Sequence, residues 1–214
     1  MVFDSTELSK CFKKIKVEDF KFKKEKMGYS WIRDSISKTE RIVIGFAGYP
    51  NSYRIYSPVV EVSFKDVEET LDKFDLGETN VPTISKPLHD IAGVNYELFS
   101  TEINSDESFG VVKNVIDSIL ERGVMPFFQH FANLSEVANF LSDKTVEEIV
   151  PYIQGGILLP KTALILKLAN HPNFLSRLNE FRGVLINYAS KSDKYKVLLE
   201  KFEKLFEADL KYTH

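Results

Sequence analysis

Few residues in this chain have the types and spacings that catalysis needs. Four histidines stand apart, at His89, His130, His171 and His214. Only His89 has an acidic neighbour, Asp90, and an imidazole oriented by a carboxylate can act as a general base. Side chains adjacent in sequence rarely point toward each other as that role demands, so the pair reads as turn structure with Asp90 as a cap. His130 sits in Met-Pro-Phe-Phe-Gln-His-Phe, where helix packing is the expected role, and His171 before Pro172 marks a helix boundary. The single cysteine, Cys11, shares a helical stripe with Leu8, Phe12 and Ile15. It is expected as a buried small hydrophobe rather than a nucleophile. The chain has no Gly-x-x-x-x-Gly-Lys-Ser/Thr, no His-Glu-x-x-His, no Gly-x-Ser-x-Gly, and no cysteine pairs for structural zinc. No catalytic residue, metal site or cofactor is expected.

Residues suited to binding are easier to find. Tyr29, Trp31 and Arg33 alternate along one predicted strand, and Tyr49, Tyr53 and Arg54 surround a predicted turn. Tyrosine, tryptophan and arginine anchor interfaces because they join a large apolar area to a polar handle. If Ile42, Ile44 and Phe46 face the core, the opposite side carries Val43, Gly45 and Ala47, small enough to leave larger neighbours standing proud. The six residues are therefore the expected binding surface, and the competing expectation is that Trp31 belongs to the core. The run Lys21, Lys23, Lys24, Lys26, followed by Tyr29 and Trp31, has the makings of a nucleic-acid site. Glu18, Asp19 and Glu25 interrupt it, and a lysine-protected edge strand is the preferred reading.

These residues need elements to position them. Arg41 to Phe64 reads as two strands around Gly48-Tyr49-Pro50-Asn51-Ser52, with Val60, Val62 and Phe64 on one face of the return strand. Tyr29 to Asp34 precedes them, giving an antiparallel meander, and Pro58 puts the return strand at an edge or a bulge. A further strand is expected from Tyr96 to Glu102, after loop from Glu78 to Val94. A first helix starts at Asp4, with Glu7 completing a capping box. A second is capped by Asp66 and Glu69 and stopped by Gly77. Beyond Asn104 the pattern is helical only. Caps fall at Asn104 with Glu107, Asn133 with Glu136 and Thr145 with Glu148. Gly123 ends the first of these helices. Pro160 opens another that Asn170 closes, Pro172 opens the next, and a last stripe runs from Tyr195 to Phe206.

With 214 residues, 43% hydrophobic and 28% charged, the chain can bury a sizeable core, and a net charge of −3 exerts no global pull on nucleic acid or anionic membranes. No apolar run reaches the ~20 residues that cross a bilayer. Asp4 and Glu7 precede any apolar stretch, so no signal peptide is expected and the protein is expected in the cytoplasm. The expected fold class is α+β: an N-terminal helix, an antiparallel sheet of about four strands, and a C-terminal all-helical half covering one face. Residues 1–214 are expected as one integrated unit, with a sheet half at 1–104 and a helical half at 105–214.

Two segments, Phe20-Lys-Phe-Lys-Lys-Glu-Lys-Met-Gly-Tyr-Ser-Trp-Ile-Arg-Asp34 and Val124-Met-Pro-Phe-Phe-Gln-His-Phe-Ala-Asn-Leu-Ser-Glu-Val137, resemble a group of uncharacterised bacterial domains. Those domains share a Phe-Lys-Lys…aromatic-Arg segment and a later Pro-Phe-Phe…Leu segment before a helix. The resemblance spans Phe20 to about Leu141. Some members of such groups are encoded near polymorphic toxins and are taken to be immunity proteins. The resemblance implies a protein-binding role and carries no catalytic residue. The expected function is thus a non-catalytic bacterial protein-binding protein, immunity-like or scaffolding. The alternatives are an enzyme with a dispersed active site, or a nucleic-acid or small-ligand binding module.

Overall fold

Asp4 opens the first helix by accepting hydrogen bonds from the backbone N–H groups of Thr6 and Glu7 at 2.8 and 3.0 Å. In the computed structural model, which describes residues 3–77, 81–93 and 101–211, that helix is α1 (Ser5–Lys13). Glu7 does not reach back to complete the box; its carboxylate pairs with Lys10 at 2.7 Å. Leu8, Cys11, Phe12 and Ile15 are buried as their spacing predicts.

The fold is α+β. Five strands form one sheet in the order β1-β2-β3-β4-β5: β1 (Lys21–Glu25), β2 (Gly28–Asp34), β3 (Lys38–Tyr49), β4 (Ser52–Phe64) and β5 (Ile84–Pro87). The lysine run forms the edge strand β1, and β5 lies in a segment expected as loop, so two of the five strands stand outside the four expected. Residues 96–100 of the predicted Tyr96–Glu102 strand lie outside the described residues. Just beyond it, Ile103 exchanges backbone hydrogen bonds with Tyr53 at 2.8 and 2.9 Å. The segment expected as loop after Glu78 holds β5 and the short α3 (Leu88–Ala92).

The chain divides into two compact units, Met1–Val62 with Ser85–His130, and Ser63–Ile84 with Phe131–His214. It passes from one to the other after Val62, Ile84 and His130, and the composition change at Asn104 coincides with none of these. In the first unit, Phe12 of α1 is the hub of an aromatic core. Its ring lies 5.2 Å from Tyr29, 4.7 Å from Phe46 and 5.0 Å from Phe109. Phe109 belongs to α4 (Asp106–Ile119), whose cap is Ser105 paired with Ser108, one residue beyond the predicted Asn104 and Glu107. A hydroxyl at each position makes the reciprocal bonds that the amide and carboxylate were expected to make.

Gly123 does not end this helix. The backbone widens into a π-turn over Leu120–Val124 and continues as α5 (Met125–His130). Pro126 explains the π-turn: it has no N–H to give the carbonyl of Arg122, and its ring would crowd that carbonyl in a regular α-turn. Phe127 and Phe128 are buried, but His130 faces out at the helix end rather than packing inward.

In the second unit α2 (Lys65–Lys73) follows β4 directly. It has no side-chain cap, so the predicted Asp66 and Glu69 pair is not used. Asp75, not Gly77, ends it, taking φ 54° while the N–H of Leu76 donates to the carbonyl of Leu71. Asn133 caps α6 (Leu134–Ser142) and Thr145 with Glu148 caps α7 (Val146–Ile149), both as read from the sequence. Helix α8 (Leu158–Leu168) is buried almost all round, and Asn170 closes it at φ 53°. Then come α9 (Phe174–Ala189), α10 (Asp193–Leu205) and the single turn α11 (Glu207–Leu210). Phe206 packs on Phe202 at 5.0 Å and on Phe174 at 6.0 Å.

Candidate protein-binding surface

The register of β2 against β3 decides where the predicted binding residues stand. Trp31 pairs with Ile42, Tyr29 with Ile44, and Arg33 with Glu40. Residues directly opposite in an antiparallel pair share a face, so Tyr29 and Trp31 lie on the core side with Ile42 and Ile44, not opposite them. Tyr29 is 3% exposed and Trp31 2%. The indole N–H of Trp31 donates to the carbonyl of Ile15 at 3.0 Å, as a buried tryptophan requires. Burial also pushes the hydroxyl of Tyr29 above its usual range. Both residues are therefore corrected from surface to core.

Arg33 is held within the same unit. Its Nε donates to Glu40 at 2.5 Å, and its guanidinium lies over the ring of Phe20 at 4.6 Å. Glu40 is almost fully buried and also receives Lys38 at 2.6 Å, so the charge that two cations share is well satisfied. Arg33 is thus about a third exposed and already engaged within its own unit.

The other three predicted residues do come together, at the tip of the β3–β4 hairpin. The loop is Pro50-Asn51, and neither takes a positive φ. Proline cannot adopt the left-handed conformation, so the primed turns usual in two-residue hairpins are ruled out. Tyr49 is half exposed, and the guanidinium of Arg54 lies 5.2 Å from the centre of its ring. Arg54 is fixed in turn by an ion pair with Glu102. Tyr53 ties its backbone to Ile103 beside them.

Two further exposed side chains lie farther along the hairpin and at the β1–β2 turn, and the sequence gives little sign of them: Tyr56, 63% exposed, and Met27, 73% exposed. Gly45 of β3 runs between their backbones. The carbonyl of Met27 accepts from the N–H of Phe46 at 3.0 Å, and a Cβ on Gly45 would stand 2.8 Å from the carbonyl of Tyr56. The only sequence signal for Met27 is its place before Gly28 in a turn; Tyr56 has none, since alternation along β4 would assign it to the face of Val60. Exposed apolar and aromatic groups thus occur both at the β1–β2 turn and along the hairpin, where Arg54 is the cation over Tyr49.

The sequence is basic beside the β1–β2 turn. Residues 1–26 hold eight lysines against five acids, and the remaining 188 residues hold 20 bases against 26 acids, so the chain's net negative charge lies elsewhere. On the sheet face away from Ile42 and Ile44, Arg41 bridges Glu25 at 3.1 Å and Glu61 at 3.5 Å. Hydrogen bonds from Ser30, and from Lys23 and Arg41, hold the Glu25 carboxyl low, whereas burial raises that of Glu61 against the pull of Arg41.

Cys11 is buried, and desolvation with a hydrogen bond to Asp106 raises its thiol to about 11, which makes it a poor nucleophile. His89 and Asp90 both lie in the first turn of α3, with Nε2 and Oδ1 3.2 Å apart, and Asp90 is not a cap. The Nδ1 of His171 accepts from the N–H of Asn173 at 3.1 Å, at the helix boundary read from the sequence. His214 lies outside the described residues. Among the described residues no group of three or more His, Cys, Asp or Glu is placed to hold a metal ion, and no helix is long and apolar enough to cross a membrane. No protein-family model matches the chain, and no match to a curated protein or a solved structure was found.

Proposed function

We propose that this chain is a non-catalytic protein-binding protein, and that the hairpin tip with the adjoining β1–β2 turn is its contact surface. The observation that carries the reading is Tyr49 exposed under the guanidinium of Arg54, on a hairpin that also exposes Tyr56, with Met27 exposed at the neighbouring β1–β2 turn. Aromatic rings, methionine and arginine are the side chains enriched in interface centres. Here Arg54 is already positioned by Glu102, so little side-chain freedom remains to be lost on association. The likeness of residues 20–141 to bacterial domains encoded near toxins is the ground for an immunity-like role; scaffolding is the other form the reading allows. The lone cysteine accords with a cytoplasmic setting.

The test is affinity capture from a native lysate on the immobilised full chain, beside the Tyr49→Ala/Arg54→Ala/Tyr56→Ala variant. A protein held by the wild type and lost by the variant is expected. Purified, that partner should bind each single hot-spot variant about thirtyfold more weakly, as anchors of this kind do. The same proteins retained by wild type and by a variant of unchanged circular dichroism would refute the reading.

A further inference from the structure

Beside the β1–β2 turn lies a cleft of about 140 Å³. Its walls are Leu8, Tyr29, Phe46 and Tyr53, with Met27 and Gly48 at its mouth. Small-molecule sites usually run to ~300 Å³ or more, whereas an apolar cavity of about 150 Å³ takes a group the size of benzene. The cleft therefore suits one apolar side chain rather than a cofactor or metabolite. Lys24 and Lys26 also line it, and both are exposed. Lys24 pairs with Tyr29 across the β1–β2 ladder, which sets its side chain on the face where the cleft opens. Neither ammonium group has an ion pair or hydrogen bond among the described residues. The one acidic residue that lines the cleft, Glu25, has its carboxylate already taken by Ser30 at 2.9 Å and Arg41 at 3.1 Å. An apolar slot with two uncompensated cations at its rim is complementary to an apolar residue set among acidic ones.

We propose that this cleft receives a single leucine- or phenylalanine-sized side chain from an acidic segment of the partner protein, with carboxylates on either side of it meeting Lys24 and Lys26. The inference rests on the protein-binding reading above and names the chemistry of the partner. Gly48 offers a clean way to close the cleft. Its φ is not in the left-handed region, and a Cβ there meets only the ring of Tyr53, at an ordinary 3.5 Å. Gly48→Val should fill the mouth without straining the strand.

The direct test uses the ¹⁵N-labelled full chain and a short fluorescein-labelled peptide with a central leucine flanked by glutamates. Amide shifts centred on Lys24–Gly28 and Gly48–Tyr53 are expected. Replacing the leucine by alanine should weaken binding about tenfold or more, since three buried carbons are lost. Gly48→Val and Lys24→Glu/Lys26→Glu should each abolish the shifts. The proposal is overturned if the alanine peptide binds as well as the leucine one, if no shift appears at these amides, or if oligothymidine binds more tightly than the peptide at matched salt. With a captured partner in hand, retention by Gly48→Val together with loss by Tyr49→Ala/Arg54→Ala/Tyr56→Ala would dismiss the cleft and leave the protein-binding reading standing. Retention by both would dismiss the reading itself.

Discussion

Replacing Lys161 by methionine should destabilise the second unit more than almost any surface or helix-cap change. Lys161 lies in α8 and is fully buried. Its ammonium donates to the carbonyls of Pro82 at 3.0 Å and Val81 at 3.3 Å, and lies 3.3 Å from the carboxylate of Glu68. Glu68 also accepts from the hydroxyl of Thr83 at 2.5 Å, and Thr83 accepts from the N–H of Phe64 at 2.9 Å. One cation thus pins the segment before β5 to α2 and α8. Methionine matches the stem in length and fills the same space, so the cavity contribution is small. What remains is a carboxylate without its counter-ion and two carbonyls without a donor. Breaking a buried pair at one partner costs about 3–5 kcal/mol, and each orphaned acceptor up to about 1–3 kcal/mol within that total. The expected loss is therefore about 3–5 kcal/mol, read by urea unfolding at neutral pH. Lys161→Met/Glu68→Leu removes the stranded carboxylate and should recover about 1–2 kcal/mol of it. A single-variant loss under about 1 kcal/mol would refute the argument, because it would mean that water replaces the ammonium and the site is not dry.

Three other outcomes are expected. Trp31 emission should be blue-shifted and shielded from iodide in the free protein, and Trp31→Phe should cost about 1–3 kcal/mol by leaving the Ile15 carbonyl without its donor; red-shifted, quenchable emission would contradict the burial. Glu61 is a carboxyl raised by burial, so the folded protein holds its proton more tightly than the unfolded chain and stability falls as pH rises above its ordinary value of 4.5. Glu61→Gln should then melt at the same or a higher temperature at neutral pH and lose that advantage below pH 4.5, and a variant less stable at neutral pH would show that Arg41 outweighs the burial. Gly28 stands opposite Gly45, and a Cβ on it would collide with the carbonyl of Ile44; Gly28→Ala should cost about 1–3 kcal/mol in thermal unfolding, and an unchanged melting point would place the β2–β3 register elsewhere.

Much of the chain's local structure is decided within a few residues and is legible without the fold. Asp4, Asn133 and Thr145 start helices because a short oxygen-bearing side chain can reach the free N–H groups two or three positions on, whatever lies around it. Asn170 ends one because it tolerates the left-handed turn. The same reasoning failed by a residue or two where rivals sat side by side: Ser105 prevailed over Asn104, and Asp75 over Gly77. The class of the fold follows from these signals together with the alternation in Arg41–Phe64.

The proposed binding surface is another matter. Alternation says which residues of one strand share a side, but not which side of a strand meets which side of its neighbour. Trp31 facing Ile42 is settled only when β2 and β3 pair, and that one relation moves Tyr29 and Trp31 from surface to core. Lys161 reads as one lysine within an apolar helix until the carbonyls of Val81 and Pro82, some 80 residues earlier, meet its ammonium. Met27 and Lys24 likewise come to line one cleft only where the β1–β2 turn lies beside Phe46 and Tyr53. Caps and turns are short-range hydrogen bonds between near neighbours in sequence. Register, burial and clefts depend on contacts between distant segments, and those exist only once the chain has folded.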